Sequence, residues 1–294
     1  MIISASYRTD IPAFYGRWFL NRLAAGYCLM VNPYGRQTHR IDLSTTAVDA
    51  FVFWTRNAGP FREALETVGA QGYPFMIQMT VTGYPRPLES NVLETGRALD
   101  QIRALADRWG PRAVVWRYDP VVLSSLTDAR WHRANFARIA GALCGSTDEV
   151  VFSFLQPYRK TVRNLDAAAG IHGFTWRDPP IDEKRALLAD LAAIALNAGM
   201  TPTLCTQPHL TDVPGLSAAR CIDTSRLGDI AGRPVAGRRK GNRPGCDCAE
   251  SRDIGDYDTC AQGCAYCYAV STQPTAQRRL KAHDPEGEFL QSDT

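Results

Sequence analysis

The chain has 294 residues, 45% hydrophobic and 21% charged, enough to bury a full core within one large α/β domain. A net charge of +3 and a pI near 8.4 are too mild for a dedicated nucleic-acid binder, which would show a domain pI above about 9 with clustered bases. No apolar run approaches the ~18 residues of a membrane-spanning helix, since the longest helical stretch, 186–198, is broken by Asp190; no membrane partner is expected.

From the N-terminus onward, short apolar β-prone runs fall at 2–5, 27–31, 50–54, 75–81, 113–116, 150–154, 202–205 and 220–222. Continuous apolar runs bounded by polar residues suit strands buried on both faces of a parallel sheet. Apolar residues spaced by three and four mark helices at 13–25, 60–69, 91–108, 128–143 and 182–197, between many of those strands. The repeat of strand and helix predicts a TIM-like (β/α)8 barrel, or a partial one of six units. Residues 32–49 interrupt it: Pro33-Tyr-Gly35, followed by alternating character over 37–43, predicts a hairpin. The stretch 232–245, rich in Gly, Pro and Arg, divides an expected barrel domain, 1–231, from a C-terminal cysteine-rich segment, 232–294. No internal repeat or low-complexity tract interrupts either part.

Barrel enzymes place their chemistry at the C-terminal ends of the strands, so the polar residues found there define one expected mouth. They are Tyr7, Arg8 and Asp10 after 2–5, Thr55, Arg56 and Asn57 after 50–54, and Gln78 and Thr80 inside 75–81. Farther along come Arg117 and Asp119, then Gln156, Tyr158 and Lys160, then Thr206 and Gln207, and finally Asp223. Arg8 with Asp10, and Arg117 with Asp119, are either structural ion pairs at the rim or arginine forks for a carboxylate or phosphate. Lys160 is either a solvated loop lysine or a charge partner for substrate. The five histidines are dispersed, and only His209 falls near the mouth; no Ser-His-Asp set or phosphate loop can be assembled. Basic residues at 238–240 and 278–281 are either solvated loop charge or a groove for phosphates.

Cysteines carry the strongest signal. Cys260, Cys264 and Cys267, in Cys-Ala-Gln-Gly-Cys-Ala-Tyr-Cys, follow a Cys-x3-Cys-x2-Cys spacing that gathers three thiolates on one loop. Soft thiolates select iron–sulfur clusters, zinc or cuprous copper, and three of them leave one iron of a cubane unclaimed. Cys246-x-Cys248 is too short for a zinc knuckle, yet either residue can add a ligand to the cluster or to a second metal. Cys205 and Cys221 end predicted strands and are read as small buried hydrophobes or as further ligands; Cys28 and Cys144 are expected in the core. An odd count of nine cysteines, with no basic-then-apolar start to the chain, points to a reducing cytoplasm.

The loop spacing, with Tyr266 just before the last cysteine, resembles that of the radical S-adenosylmethionine (SAM) enzymes. The resemblance implies a [4Fe-4S] cluster on Cys260, Cys264 and Cys267, SAM bound at its fourth iron, and Tyr266 near the adenine. Gly263 would permit the tight turn, and Asp223 at the mouth would contact the cofactor. In that superfamily the loop follows the first barrel strand; here it lies at 260–267, and no Gly-Gly-Glu motif is present. Nearly the whole chain is similar to an uncharacterised bacterial family of domains of unknown function whose C-terminal cysteines have been likened to the radical SAM cluster. That similarity runs through Ser4-Ala-Ser-Tyr-Arg-Thr-Asp-Ile-Pro-Ala-Phe-Tyr15, Phe53-Trp-Thr-Arg-Asn57, Trp116-Arg-Tyr-Asp-Pro120, Cys221-Ile-Asp223 and the block 246–269. Trp116-Arg-Tyr-Asp-Pro120 also resembles a segment of spore photoproduct lyase relatives, which repair DNA.

These resemblances imply an enzyme that cleaves SAM and abstracts a substrate hydrogen, with Arg8, Asp10, Arg117, Asp119 and Lys160 at the catalytic mouth. The substrate would be a small molecule or derived from nucleic acid, and the electron donor a flavodoxin or ferredoxin. Two alternatives stay open: closure of the cluster by Cys246 or Cys248, giving a redox or structural protein, and a photolyase-like repair enzyme.

Overall fold

The computed structural model describes residues 1–33 and 35–291; Tyr34, within the expected turn, lies outside the described residues, as do 292–294. Alternation along each apolar run sorts side chains onto two faces. Ile3, Phe51, Phe53, Phe75, Ile77, Trp116 and Phe152 enter one large core, while Ile2, Ala50, Val52, Met76, Val115 and Val151 gather in a second. These residues belong to an eight-stranded sheet whose strands lie in the order Ser217–Ala218, Thr201–Leu204, Glu149–Phe154, Val114–Val121, Phe75–Thr80, Ala50–Thr55, Ile2–Ala5 and Ser251–Asp253. Every neighbouring pair is parallel, with registers such as Ile2 opposite Ala50 and Trp116 opposite Val150.

The sheet is strongly curled. Gln78 Nε2 donates to the carbonyl of Cys221 at 2.9 Å, although three strands intervene between Phe75–Thr80 and Ser217–Ala218. On a flat sheet those strands would stand about 19 Å apart, far beyond the reach of a glutamine. Curling also fits the size difference between the two cores: the concave one is rich in Ala, Val and Cys, and the convex one holds the buried Phe and Trp side chains. Among the described residues no strand ladder joins the two outer strands. Ala249 N does donate to Ile222 O at 3.0 Å across that gap.

Helices cover the convex face. Ile181–Asn197 buries Leu187, Leu188, Leu191, Ala192 and Ala195 along one stripe, and Asp128 caps Ala129–Leu143 by accepting from Trp131 N. Expected helix 13–25 divides into Ile11–Phe14 and Gly16–Ala25 at Tyr15, and expected helix 91–108 begins only at Thr95. Arg159–His172, Thr224–Ala231 and Gln273–Lys281 are further helices beyond those the sequence predicts; the first buries only Thr161 and Leu165, too little for a visible period.

Two strand assignments are corrected. Tyr27–Val31 does not join the central sheet; it pairs antiparallel with Thr38–Asp42, the expected hairpin, and only Cys28 of its five residues is buried. The eighth strand of the sheet is instead Ser251–Asp253, beside Ile2–Ala5. Residues 220–222 form no strand, the ladder there being Ser217–Ala218. No helix among the described residues is long and apolar enough to cross a membrane.

Candidate functional site

The cysteine loop is fixed by its own backbone. Residues 88–91 run beside it: Ala265 N donates to Leu88 O at 2.9 Å, Ser90 N to Gly263 O at 3.2 Å and Asn91 N to Gln262 O at 3.1 Å. Gly263 has φ of 75°, and a Cβ there would sit 2.1 Å from Ser90 Oγ, so only glycine fits. Cys264 is buried, and Cys260 and Cys267 are half-buried. Burial pushes the Cys264 thiol up to about 12 and raises Cys260 and Cys267 as well, Asp10 adding to the effect at Cys260.

Beneath the loop lies a buried charge network. Arg56 Nη1 meets Glu89 Oε1 at 2.8 Å, and its Nη2 donates to the Tyr266 hydroxyl at 2.6 Å, while that hydroxyl donates to Glu89. Arg56 is within electrostatic reach of Cys264 and Cys260. Asp10 ties the N-terminal strand end to the loop: it caps Ile11–Phe14 through Ala13 N at 3.0 Å and accepts from Arg56 N at 2.8 Å and Gln262 Nε2 at 2.7 Å. Burial raises the Asp10 carboxyl against the pull of these bonds.

A second part of the wall is built from Arg117. Its guanidinium pairs with Asp119, donates to Gln78 Oε1 at 3.2 Å and to Cys221 Sγ at 3.0 Å, and lies over Trp54 with 5.0 Å to the ring centroid. Burial would raise the Asp119 carboxyl, but Arg117 and the Ser153 hydroxyl outweigh it and hold it below the usual range. Cys205, Cys221, Cys246 and Cys248 sit beside this pair, and Cys246 is lowered to about 6 because the Cys248 thiol hydrogen-bonds to it.

Both groups face one cavity of about 590 Å³. Seven of the nine cysteines line it, as do Arg8, Asp10, Arg117, Asp119 and Tyr266. Thr55, Arg56, Thr80, Gln156, Tyr158 and Thr206 from the expected mouth also reach it, while Asn57, Gln78 and Gln207 do not. Gln207 instead bridges the backbone N and O of Phe154, at 2.7 and 3.2 Å.

Several sequence expectations change here. Arg8 does not pair with Asp10; its partner is Asp253, at 3.0 Å. Asp223 is a helix cap, accepting from Ser225 N at 2.9 Å, and lies away from the cavity. Lys160 turns toward the ring of Tyr257, 5.5 Å from its centroid, and does not line the cavity. Cys144 is exposed, whereas Cys28 is buried as expected. Glu89 and Asp253, both central to the site, carried no sequence signal beyond being single acidic residues in a loop and in a three-residue strand.

Among the described residues, no three His, Cys, Asp or Glu side chains already converge on a point ready to hold a metal ion. No curated protein matches the chain. The family model for a domain of unknown function, DUF1848, matches residues 2–269, and the chain belongs to that family.

Proposed function

We propose that this chain is an atypical radical SAM enzyme, with a [4Fe-4S] cluster held by Cys260, Cys264 and Cys267. One observation carries the reading: three thiols on a single backbone-pinned loop face a cavity large enough for a cofactor and a substrate, with Tyr266 anchored between them. The donor set fits the group. All three thiols line the cavity from one eight-residue loop, and thiolates are the ligands that iron–sulfur clusters take. Arg56 supplies positive charge beneath a centre that is anionic once loaded.

Held by Cys260, Cys264 and Cys267, such a group would supply one-electron reductive cleavage of SAM to methionine and a 5′-deoxyadenosyl radical. The chain's own residues position and shield. Arg56 and Glu89 fix the Tyr266 ring, Asp10 holds Gln262 and the loop to the first strand, and the Arg117–Asp119 pair presents a polar surface toward substrate. We read the curled sheet as a (β/α)8-type barrel to which the segment 232–294 gives the strand Ser251–Asp253 and the cysteine loop at the mouth, which would keep water from a reactive intermediate. A cytoplasmic setting with a flavodoxin- or ferredoxin-class electron donor completes the proposal.

Electron paramagnetic resonance of anaerobically reconstituted, dithionite-reduced protein, with and without SAM, tests it. A [4Fe-4S]⁺ signal that shifts with SAM, followed by release of 5′-deoxyadenosine, is the expected result. A cluster signal indifferent to SAM would move the protein to the redox or structural class, and the lack of any cluster would sink the proposal.

A further inference from the structure

Four of the cavity's seven cysteines lie outside the loop and gather in another part of its wall. Cys221 Sγ lies 3.8 Å from Cys205 Sγ, and Cys246 and Cys248 line the same cavity, the thiols of Cys221 and Cys246 both acting on that of Cys248. Cys246 is also within electrostatic reach of Cys205. They come from three separate stretches: the end of strand Thr201–Leu204, the segment after Ser217–Ala218, and the turn before Ser251–Asp253.

We propose that Cys205, Cys221, Cys246 and Cys248 form a second metal site, a four-thiolate centre for a single zinc ion, separate from the cysteine loop. Four thiolates about 2.3 Å from one tetrahedral zinc lie about 3.8 Å from each other, the separation between Cys221 and Cys205. That contact distance suits one ion and is too short for the corners of a cubane, so the two cysteine groups of this cavity are built for different occupants. The site carries a second shell. Arg117 Nη1 donates to Cys221 Sγ at 3.0 Å and Arg243 Nη2 to Cys205 Sγ at 3.6 Å, so two cations meet the sulfurs of what would be a doubly negative centre.

The turn that delivers Cys246 and Cys248 is fixed by Cys246 N donating to Arg243 O at 3.1 Å and Lys240 N to Cys248 O at 3.0 Å. Among the described residues no three of these thiols already converge, so the side chains of Cys246 and Cys248 would turn toward Cys205 and Cys221 as an ion enters. Such a centre would tie the last strand to the far edge of the curled sheet, where, among the described residues, backbone pairing is reduced to the Ala249–Ile222 bond.

The test is metal analysis of the full chain purified without oxygen and dialysed against zinc sulfate and then zinc-free buffer, with X-ray absorption at the zinc edge. Wild type, Cys144→Ser and a Cys260→Ala/Cys264→Ala/Cys267→Ala variant should each retain about one zinc per chain in a shell of sulfur alone. Cys248→Ser should lower zinc retention at least about tenfold. If Cys248→Ser fails to fold by circular dichroism, Cys246→Ser, on the half-buried turn, decides by faster loss of zinc to a chelator. Folded wild type without zinc, zinc lost from the triple loop variant, or mass-mapped alkylation showing a Cys205–Cys221 disulfide in its place would overturn the assignment. The triple variant carries no iron–sulfur loop, so failure here and failure of the radical SAM reading are distinguishable.

Discussion

Arg8 Nε lies 3.0 Å from Asp253 Oδ1, with side-chain exposures of only 5% and 4%, and this ion pair binds the loop after the first strand to the last strand of the sheet. Asp253 accepts more besides: Ser4 Oγ at 2.9 Å, Ser6 Oγ at 2.6 Å, and the backbone N of Tyr7 and of Gly255 at 3.0 Å each. A buried carboxylate with this many donors organises the strand ends from which Asp10 and the cysteine loop depart.

Removing that charge should therefore be costly. Asp253→Asn keeps the shape but leaves Arg8 buried without a counter-charge, a change worth about 3–5 kcal/mol. The urea midpoint should fall accordingly with an unchanged slope; a loss under about 1 kcal/mol would show that solvent, not Asp253, satisfies Arg8.

Much of this arrangement was legible in the chain, for physical reasons that differ by element. Strands such as 50–54 and 150–154 announce themselves because both faces are buried, and the loop cysteines because their spacing is short-range. The apolar run 27–31 was equally visible, but apolarity does not say which sheet a strand joins, and its neighbour Thr38–Asp42 captured it. Ser251–Asp253 is three residues long with one buried side chain, below any periodic signal. The approach of Cys205 and Cys221 to Cys246 and Cys248 depends on the curl of the sheet, a property of the assembled strands and not of any segment.

Tyr266 separates two roles that one side chain can combine. Tyr266→Phe keeps the ring but leaves Arg56 and Glu89 each short of a partner, so stability should fall by about 1–3 kcal/mol while bound iron is unchanged. Tyr266→Ala should also retain iron, because the thiols remain, yet weaken the SAM-induced change in the resonance spectrum. Equal SAM responses in the two variants would remove the ring from the cofactor site.

Gly263→Ala tests whether the loop conformation, and not merely its cysteines, holds the cluster. The added methyl meets Ser90 Oγ in a backbone with φ of 75°, a strain of about 1–3 kcal/mol that the Ser90 side chain or the loop must move to relieve. Iron retained after gel filtration should drop relative to wild type, and pairing the substitution with Ser90→Ala should recover part of it. Full iron retention in Gly263→Ala alone would mean that the thiols bind without this turn.

His132 gives the fold a pH dependence remote from the cysteines. It is fully buried, its Nδ1 accepts from the Tyr118 hydroxyl at 2.9 Å and its Nε2 donates to Val122 O at 3.0 Å, so the neutral ring is satisfied on both sides. Burial lowers it from 6.5 to about 4. Above about pH 6.5 neither folded nor unfolded chain holds the proton, and the neutral ring's contribution is complete. As pH falls from there to about 4, the unfolded chain takes up a proton that the folded chain refuses, and stability should decline by about 1.4 kcal/mol per unit, some 3 kcal/mol in all. Carboxylates titrate in the same range, so the measurement is the difference between wild type and His132→Gln in urea stability from pH 7 to 4. The variant, already weaker at pH 7, should lose less on acidification; parallel curves would show that the folded chain takes up the His132 proton as readily as the unfolded one.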